Sequence, residues 1–297
     1  MEPLLVLTHA GAGNTDAAHL DAALEVLRAH CSVEVATTAD PGELDGVLHR
    51  AGSRRLVGAG GDGSLHAVVA ALHRRRDLAS AVLGLLPLGT GNDFARGLGL
   101  PLDPAEAALV VATGVPTPMD LLVDELGGVV VNHVHLGASA EASRRGEVWK
   151  ERLGRLGYPI GAALVAWRPP TFRLHVEVDG ETVVDVDSPV LLVAVGNGPS
   201  VGGGTALTPE ADPGDGVLDV LVTRARGPLA RLRYAAMLGL AAHESLEEVS
   251  TFRGRRVTVS GEAFWISADG EITGPERHRT WHLERAAYRM LLPTADA

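Results

Sequence analysis

Two short apolar runs, 55–59 and 82–86, each break into a glycine-rich turn: Gly60-Gly61-Asp62-Gly63-Ser64 after the first, Pro87-Leu88-Gly89-Thr90-Gly91-Asn92-Asp93 after the second. A buried strand that stops in glycines, followed by an apolar-striped helix, is the repeating unit of a layered α/β fold, so these turns constrain the chain more than any other feature. The surrounding sequence keeps the alternation. Residues 4–8 read as a strand, 16–29 as a helix N-capped by Asp16, 33–36 as a strand, 43–51 as a helix and 65–75 as the helix after the first turn. The expected first layer is an α/β domain with a mainly parallel sheet.

Beyond Pro116 and Pro118 the texture changes. Runs at 129–134, 172–178, 190–195, 217–222, 256–259 and 264–267 are β-branched and separated by Gly, Pro or Asp turns, which predicts a mostly antiparallel β half. A long helical stretch over 140–167, broken near Gly154 and Pro159, and a helix over 229–242 interrupt it. The expected domains are therefore 1–118 and 119–297, with the extreme C-terminus free to pack back on the first.

With 46% hydrophobic residues over 297 positions the chain is not a disordered tail. Its net charge of −11 argues against binding nucleic acid through bulk electrostatics. A single cysteine, Cys31, rules out an internal disulfide and fits a reducing cytoplasm. The N-terminal segment has no basic region before its few apolar residues, and no run of 18 apolar residues occurs, so neither a signal peptide nor a membrane span is expected.

At Gly60 to Ser64 the absence of side chains lets backbone N–H groups approach a ligand, and the following helix presents its positive end, so phosphate is the natural guest. Asp62 is unusual there: a carboxylate beside phosphate is unfavourable unless it engages a cation, a sugar hydroxyl or a proton in transfer. Gly89 and Gly91 give the second turn the same backbone freedom, while Thr90, Asn92 and Asp93 add donors and acceptors. Ordinary tight strand-to-helix turns remain the plainer alternative for both. Neither turn is a P-loop, since no Gly-Lys-Ser/Thr follows, and Lys150 is the only lysine in the chain.

Taken together, Gly60-Gly61-Asp62-Gly63-Ser64, Leu86-Pro87-Leu88-Gly89-Thr90-Gly91-Asn92-Asp93-Phe94-Ala95-Arg96 and the late Asp269-Gly270-Glu271 resemble the bacterial diacylglycerol kinase family of lipid kinases. That family includes sphingosine and ceramide kinases and is distantly related to NAD kinases. Arg152 to Tyr158, Gly202-Gly203-Gly204, Pro209-Glu210-Ala211 and Asp215 to Asp219 extend the likeness over nearly the whole chain. The resemblance implies an ATP- and Mg²⁺-dependent enzyme that phosphorylates a lipid hydroxyl, a diacylglycerol-type acceptor by default, in a cleft between an ATP-holding α/β domain and a β-sandwich domain.

It also implies roles for residues. Gly60, Gly61, Asp62, Gly63 and Ser64 cradle phosphates; Gly89, Thr90 and Asn92 help hold the nucleotide, as do Thr8 and Thr38 at the ends of the first two strands. Glu271 or Asp62 is the general base, a choice this reading leaves open. Asp215 matches a holder of structural Mg²⁺ in some members, its alternative being a turn carboxylate. The implied partner is a lipid at a membrane surface, met from the cytoplasm or peripherally at the membrane; a homodimer is one arrangement open to such a protein.

Two alternatives stay open: NAD kinase, which shares the Gly60-Gly61-Asp62-Gly63 turn, and a nucleotide-binding regulatory member without turnover, which departures from the family pattern motivate. The first loop reads Thr8-His9-Ala10-Gly11-Ala12-Gly13 where the family carries Asn-Pro-x-Ser-Gly, and Gly137-Ala138-Ser139-Ala140 stands for Gly-Phe-Asp-Ala. Ser64 replaces a threonine and keeps the hydroxyl. A basic strip of Arg144, Arg145, Lys150, Arg152 and Arg155 around Trp149 suggests a membrane contact, against a solvated helix face interleaved by Glu147 and Glu151. His133 and His135 share a strand face and read as structural rather than metal-binding.

Overall fold

Leu4, Leu5, Val6 and Leu7 are all buried although side chains alternate across a strand, so both faces of β1 (Leu4–His9) must be covered. A computed structural model, which describes residues 4–10, 14–52, 54–138, 140 and 171–294, shows how. β2 (Val33–Thr38), β1, β3 (Arg55–Gly60) and β4 (Val82–Pro87) lie parallel in that order. Helices α1 (Asn14–His30), α2 (Pro41–Ala51), α3 (Asp62–Arg75), the short α4 (Asp93–Gly97) and α5 (Pro104–Thr113) make the connections. On one face Leu4 and Val6 pack with Leu24, Leu27 and Val111; on the other Leu5 and Leu7 pack with Leu44, Leu48 and Leu65.

The helices start earlier than apolar periodicity places them because caps, not core residues, define their ends. Asp40 accepts a hydrogen bond from the Glu43 amide at 2.9 Å while Glu43 accepts from the Ala39 amide at 2.7 Å, a reciprocal cap one turn before the first buried leucine. α4 and α5 were not anticipated. α5 is apolar around most of its circumference and shows no stripe to read.

The second half contributes β5 (Val115–Asp124), β6 (Val129–Val130), β7 (His133–Gly137), β8 (Leu174–Val178), β9 (Glu181–Val184) and β10 (Leu192–Gly196). It continues with β11 (Ser200–Val201), β12 (Thr205–Ala206), β13 (Leu218–Thr223), helix α6 (Gly227–Gly239), β14 (Val249–Gly254), β15 (Arg256–Ala268) and β16 (Glu271–Leu292). The antiparallel path runs β16-β15-β7-β10-β13-β14, around a second core containing Val193, Val220, Val259, Phe264 and Trp281. The expected α/β layer and antiparallel sandwich-like layer are both present.

β16 joins the two. It pairs antiparallel with β15 and β5, then parallel with β4 at Arg289 to Val82 and Met290 to Leu83. Pro116 and Pro118, read as marking a change of texture, are residues of β5, whose ladder partners are β16 and β6. The runs 256–259 and 264–267 belong to one strand, β15, whose register against β16 slips between Ser260 and Phe264.

Among the described residues no helix is long and apolar enough to cross a membrane. The turn at 11–13, Ser139, the helical stretch over 141–167 and the basic strip Arg144, Arg145, Lys150, Arg152 and Arg155 lie outside the described residues.

Candidate active site

Both glycine turns sit where the parallel strands end, and they touch. A Cβ added to Gly89 would lie 2.5 Å from the Gly61 Cα and 2.8 Å from the Asn92 Oδ1; one on Gly61 would lie 3.0 Å from the Gly89 Cα. Gly60 has no room for a Cβ because the Ser64 side chain fills that space. None of these three glycines has a positive φ, so the constraint is close approach of backbone to backbone, not a left-handed conformation. The left-handed residue is Asn92, at φ 53°, a conformation asparagine tolerates better than most.

Three carboxylates hold this arrangement through backbone amides. Asp62 accepts from the Asp93 amide at 3.0 Å and the Phe94 amide at 2.9 Å, and so caps α4 from the other turn. Asp93 in turn accepts from the amides of Gly203, at 2.9 and 3.1 Å, and Gly204, at 2.7 Å. Gly202, Gly203 and Gly204 all have positive φ, which lets this loop of the second half turn its N–H groups onto Asp93. Asn92 closes the second turn on itself: its Oδ1 accepts from the Gly89 amide at 3.0 Å and its Nδ2 donates to the Gly89 carbonyl at 2.8 Å.

Asp269 is the third. Its side chain is 3% exposed and accepts from the amides of Val131, Asn132 and His133 at 2.6, 3.0 and 3.0 Å. Its Oδ2 also lies 2.9 Å from Nδ1 of His66, one turn into α3. Asp269 therefore ties the second half to α3, and the turn it anchors delivers Glu271. Glu271 is exposed, and together with Thr8, Thr38, Gly63, Ser64 and His66 it lines a cleft of 340 Å³.

Of the expected residues the cleft gathers Glu271, Thr8, Thr38, Gly63 and Ser64, and it adds His66, one of twelve histidines, which the sequence does not single out. The available signal was its position four residues after Asp62, on the same side of α3. Burial disfavours the charged imidazolium, but the hydrogen bond and charge of Asp269, with Glu271 adding and Arg74 opposing, outweigh it and raise the His66 pKa. A raised native pKa stabilises the fold at low pH: the contribution is complete below the unfolded value of about 6.5 and is lost as pH rises through the native value. The difference in Tm between the wild type and His66→Asn, which keeps a donor for Asp269 without the charge, is expected to shrink as pH rises from about 6 to 8. Thermal denaturation across that range checks it; a constant difference would refute the charged pair.

Other expected residues are placed as follows. Thr38 is buried and its hydroxyl donates to the Thr8 carbonyl at 3.5 Å, which ties the ends of β1 and β2. Thr90 is exposed at the tip of the second turn. His133 and His135 are buried, and burial, the first cause in each, pushes their pKa values down to about 3 and about 4, so both are neutral structural residues.

Asp215, read as a metal ligand, instead accepts from the guanidinium of Arg253 and, at 3.1 Å, from the Val217 amide; Arg253 also lies 3.3 Å from Asp219. With that positive charge in place the residues do not fit a resident divalent ion. Among the described residues no group of three or more His, Cys, Asp and Glu is arranged to hold a metal. The cleft differs, because an ion carried on nucleotide phosphates needs only one or two carboxylates. Glu271 is a carboxylate that lines this cleft, whereas Asp62 and Asp93, which approach Gly91 from two sides, each already accept from two backbone amides.

Residues 3–123 match the family model described as diacylglycerol kinase catalytic domain, and residues 132–287 that of the YegS C-terminal NAD kinase beta sandwich-like domain. A protein of Xanthomonas oryzae pv. oryzae named "Probable lipid kinase YegS-like" is 33% identical over 94% of this chain and 93% of its own. A protein of Mycobacterium tuberculosis named diacylglycerol kinase is 34% identical over 65% of this chain and 63% of its own. The crystal structure of a diacylglycerol kinase from Bacillus anthracis superposes with a TM-score of 0.77 over 100% of this chain and 99% of that one, at 23% identity. That last likeness is one of fold.

Proposed function

Since the chain belongs to the diacylglycerol kinase family of lipid kinases, we propose that it moves the γ-phosphoryl group of ATP to a lipid hydroxyl, a diacylglycerol-type acceptor, in the cleft bounded by Gly63 and Glu271. The observation that carries this reading is the delivery of Glu271, by a turn anchored through Asp269, into the cleft lined by Gly63, Ser64, Thr8 and Thr38. Residues 1–118 hold the nucleotide and 119–297 complete the site.

α3 has no side-chain cap, so N–H groups of its first turn remain for phosphate oxygens at Gly60 to Ser64. Thr90 and the backbone shaped by Gly89 and Asn92 flank them, and Thr8 and Thr38 border the nucleotide from the ends of β1 and β2. Glu271 takes the acceptor's proton. As the lipid oxygen bonds to the γ-phosphorus, the bond from that phosphorus to the β,γ-bridging oxygen breaks and ADP leaves. Asp62 positions rather than transfers, since both its oxygens already hold backbone amides. Mg²⁺ carried on the nucleotide phosphates would neutralise charge developing there. Most of the acceleration then comes from alignment, as in other phosphoryl transfers. The lipid acceptor and the lone reduced cysteine support a cytoplasmic protein working at a membrane face.

The test is γ-labelled ATP offered with diacylglycerol, other extracted lipids and NAD. Label is expected on diacylglycerol. Label on NAD alone would make the protein an NAD kinase, and nucleotide binding with no labelled product would make it a regulatory member; either result rejects the reading.

A further inference from the structure

A surface helix normally keeps its apolar residues on one side, where the core is. α6 keeps them on two. Ala230, Tyr234, Met237 and Leu238 turn inward, onto a core with Leu191, Leu207, Leu221 and Val249. On the opposite side Leu229, Leu232 and, just past the last turn, Leu240 are 78%, 68% and 74% exposed, and the exposed Ala236 completes their spacing of three, four and four residues. That spacing makes one continuous stripe along a helix of 13 residues.

The charge around the stripe is as unusual. Between Asp219 and Glu244 the chain has no acidic residue, yet it carries Arg224, Arg226, Arg231 and Arg233, in a protein whose net charge is −11. Arg233 pairs with Glu248, Arg224 donates to Ser250 and Arg231 donates to the Ala225 carbonyl at 3.3 Å, which leaves Arg226 without an acidic partner among the described residues. Location adds a third argument. α6 packs on β12, in the hairpin whose Gly202–Gly204 loop is gripped by Asp93 of the second glycine turn, so the stripe belongs to the unit flanking the active site.

We propose that the outer face of α6 docks on an anionic lipid bilayer, with Leu229, Leu232 and Leu240 among the acyl chains and Arg226 and the exposed Arg233 at the headgroups. This rests on the lipid-acceptor reading. An apolar stripe edged by cations, with no acid among its own residues, is the composition of an interfacial helix. A second copy of the chain would present the same arginines, whereas anionic headgroups complement them. Repulsion between the remaining negative charge and the bilayer is screened beyond about 10 Å at 0.1 M salt, so docking orients the protein with this face down.

The full-length protein is sedimented with vesicles of phosphatidylcholine and phosphatidylglycerol in equal parts, beside a variant carrying Leu229→Gln and Leu232→Gln. Both side chains are exposed, so Tm should be unchanged. Wild type is expected in the vesicle pellet and the variant's partition coefficient should fall by roughly tenfold or more. Turnover on a short-chain, water-soluble acceptor should be equal in the two. Vesicle binding unaffected by the substitutions, or absent in the wild type, overturns the proposal. So does a wild-type dimer that the variant loses in analytical ultracentrifugation without a change in vesicle binding, since a second copy would then cover the stripe. Turnover on the soluble acceptor without vesicle binding rejects the docking face alone; docking through α6 with no phosphorylated lipid rejects the lipid-kinase reading alone.

Discussion

Glu271→Gln is expected to lower kcat by at least about a hundredfold while leaving Tm and ATP affinity near wild type, because removing a general base costs 10²–10⁴ in rate. The side chain is exposed and makes no hydrogen bond among the described residues, so glutamine, equal in shape, disturbs nothing structural. Asp62→Asn should behave differently. An asparagine has one acceptor oxygen where Asp62 uses two, so either the Asp93 or the Phe94 amide loses its partner and faces an NH₂ group. That substitution should cost about 1–3 kcal/mol of stability and weaken nucleotide binding together with turnover. Paired measurements of kcat, Kd for ATP and Tm separate the two carboxylates. A Glu271→Gln enzyme with wild-type kcat would remove Glu271 from the chemistry, and a cold kcat with intact Tm in Asp62→Asn would return the role of base to Asp62.

The contrast explains which parts of the site could be read from sequence. Gly60 to Ser64 and Pro87 to Asp93 announce themselves because glycine, aspartate and asparagine after an apolar run have a local meaning, the end of a strand and the start of a helix. Their mutual contact has no such signal: Gly89 against Gly61 is a relation between two turns 28 residues apart, visible only once β3 and β4 are paired. His66 and Asp269 are 203 residues apart, and nothing within either neighbourhood says that they meet. The same limit applies to the fold. β1 declares itself through four consecutive apolar residues, whereas β16 alternates poorly, with its register against β5 interrupted between Glu284 and Tyr288, and it changes partners along its length. Local chemistry was legible; the long-range pairing that delivers Glu271 was not. Asp215 shows the converse, a turn that matches a family pattern and yet faces Arg253, a partner supplied by the next strand but one in chain order.

Gly89→Val and Gly63→Val should fail for opposite reasons. At Gly89 any Cβ would sit 2.5 Å from the Gly61 Cα and 3.1 Å from its amide nitrogen, backbone atoms that cannot move without separating the two turns. Valine adds two methyl groups to that clash, and overpacking of this kind costs about 1–3 kcal/mol. Tm should therefore fall with ATP affinity, because the Asp62 bonds that cross between the turns are strained by the same displacement. Gly63 is the opposite case: a Cβ there meets nothing within 4 Å, its φ is not positive, and it borders the 340 Å³ cleft. The empty space beside it is the space assigned to phosphate. Gly63→Val should leave Tm close to wild type and yet weaken ATP binding by about tenfold or more, since a branched side chain at the first turn of α3 stands between its amides and the ligand. Calorimetric ATP titration alongside thermal denaturation decides both. Loss of stability in Gly63→Val with ATP affinity kept would place the phosphates elsewhere, and a stable, nucleotide-binding Gly89→Val would mean that contact between the turns is not what shapes the site.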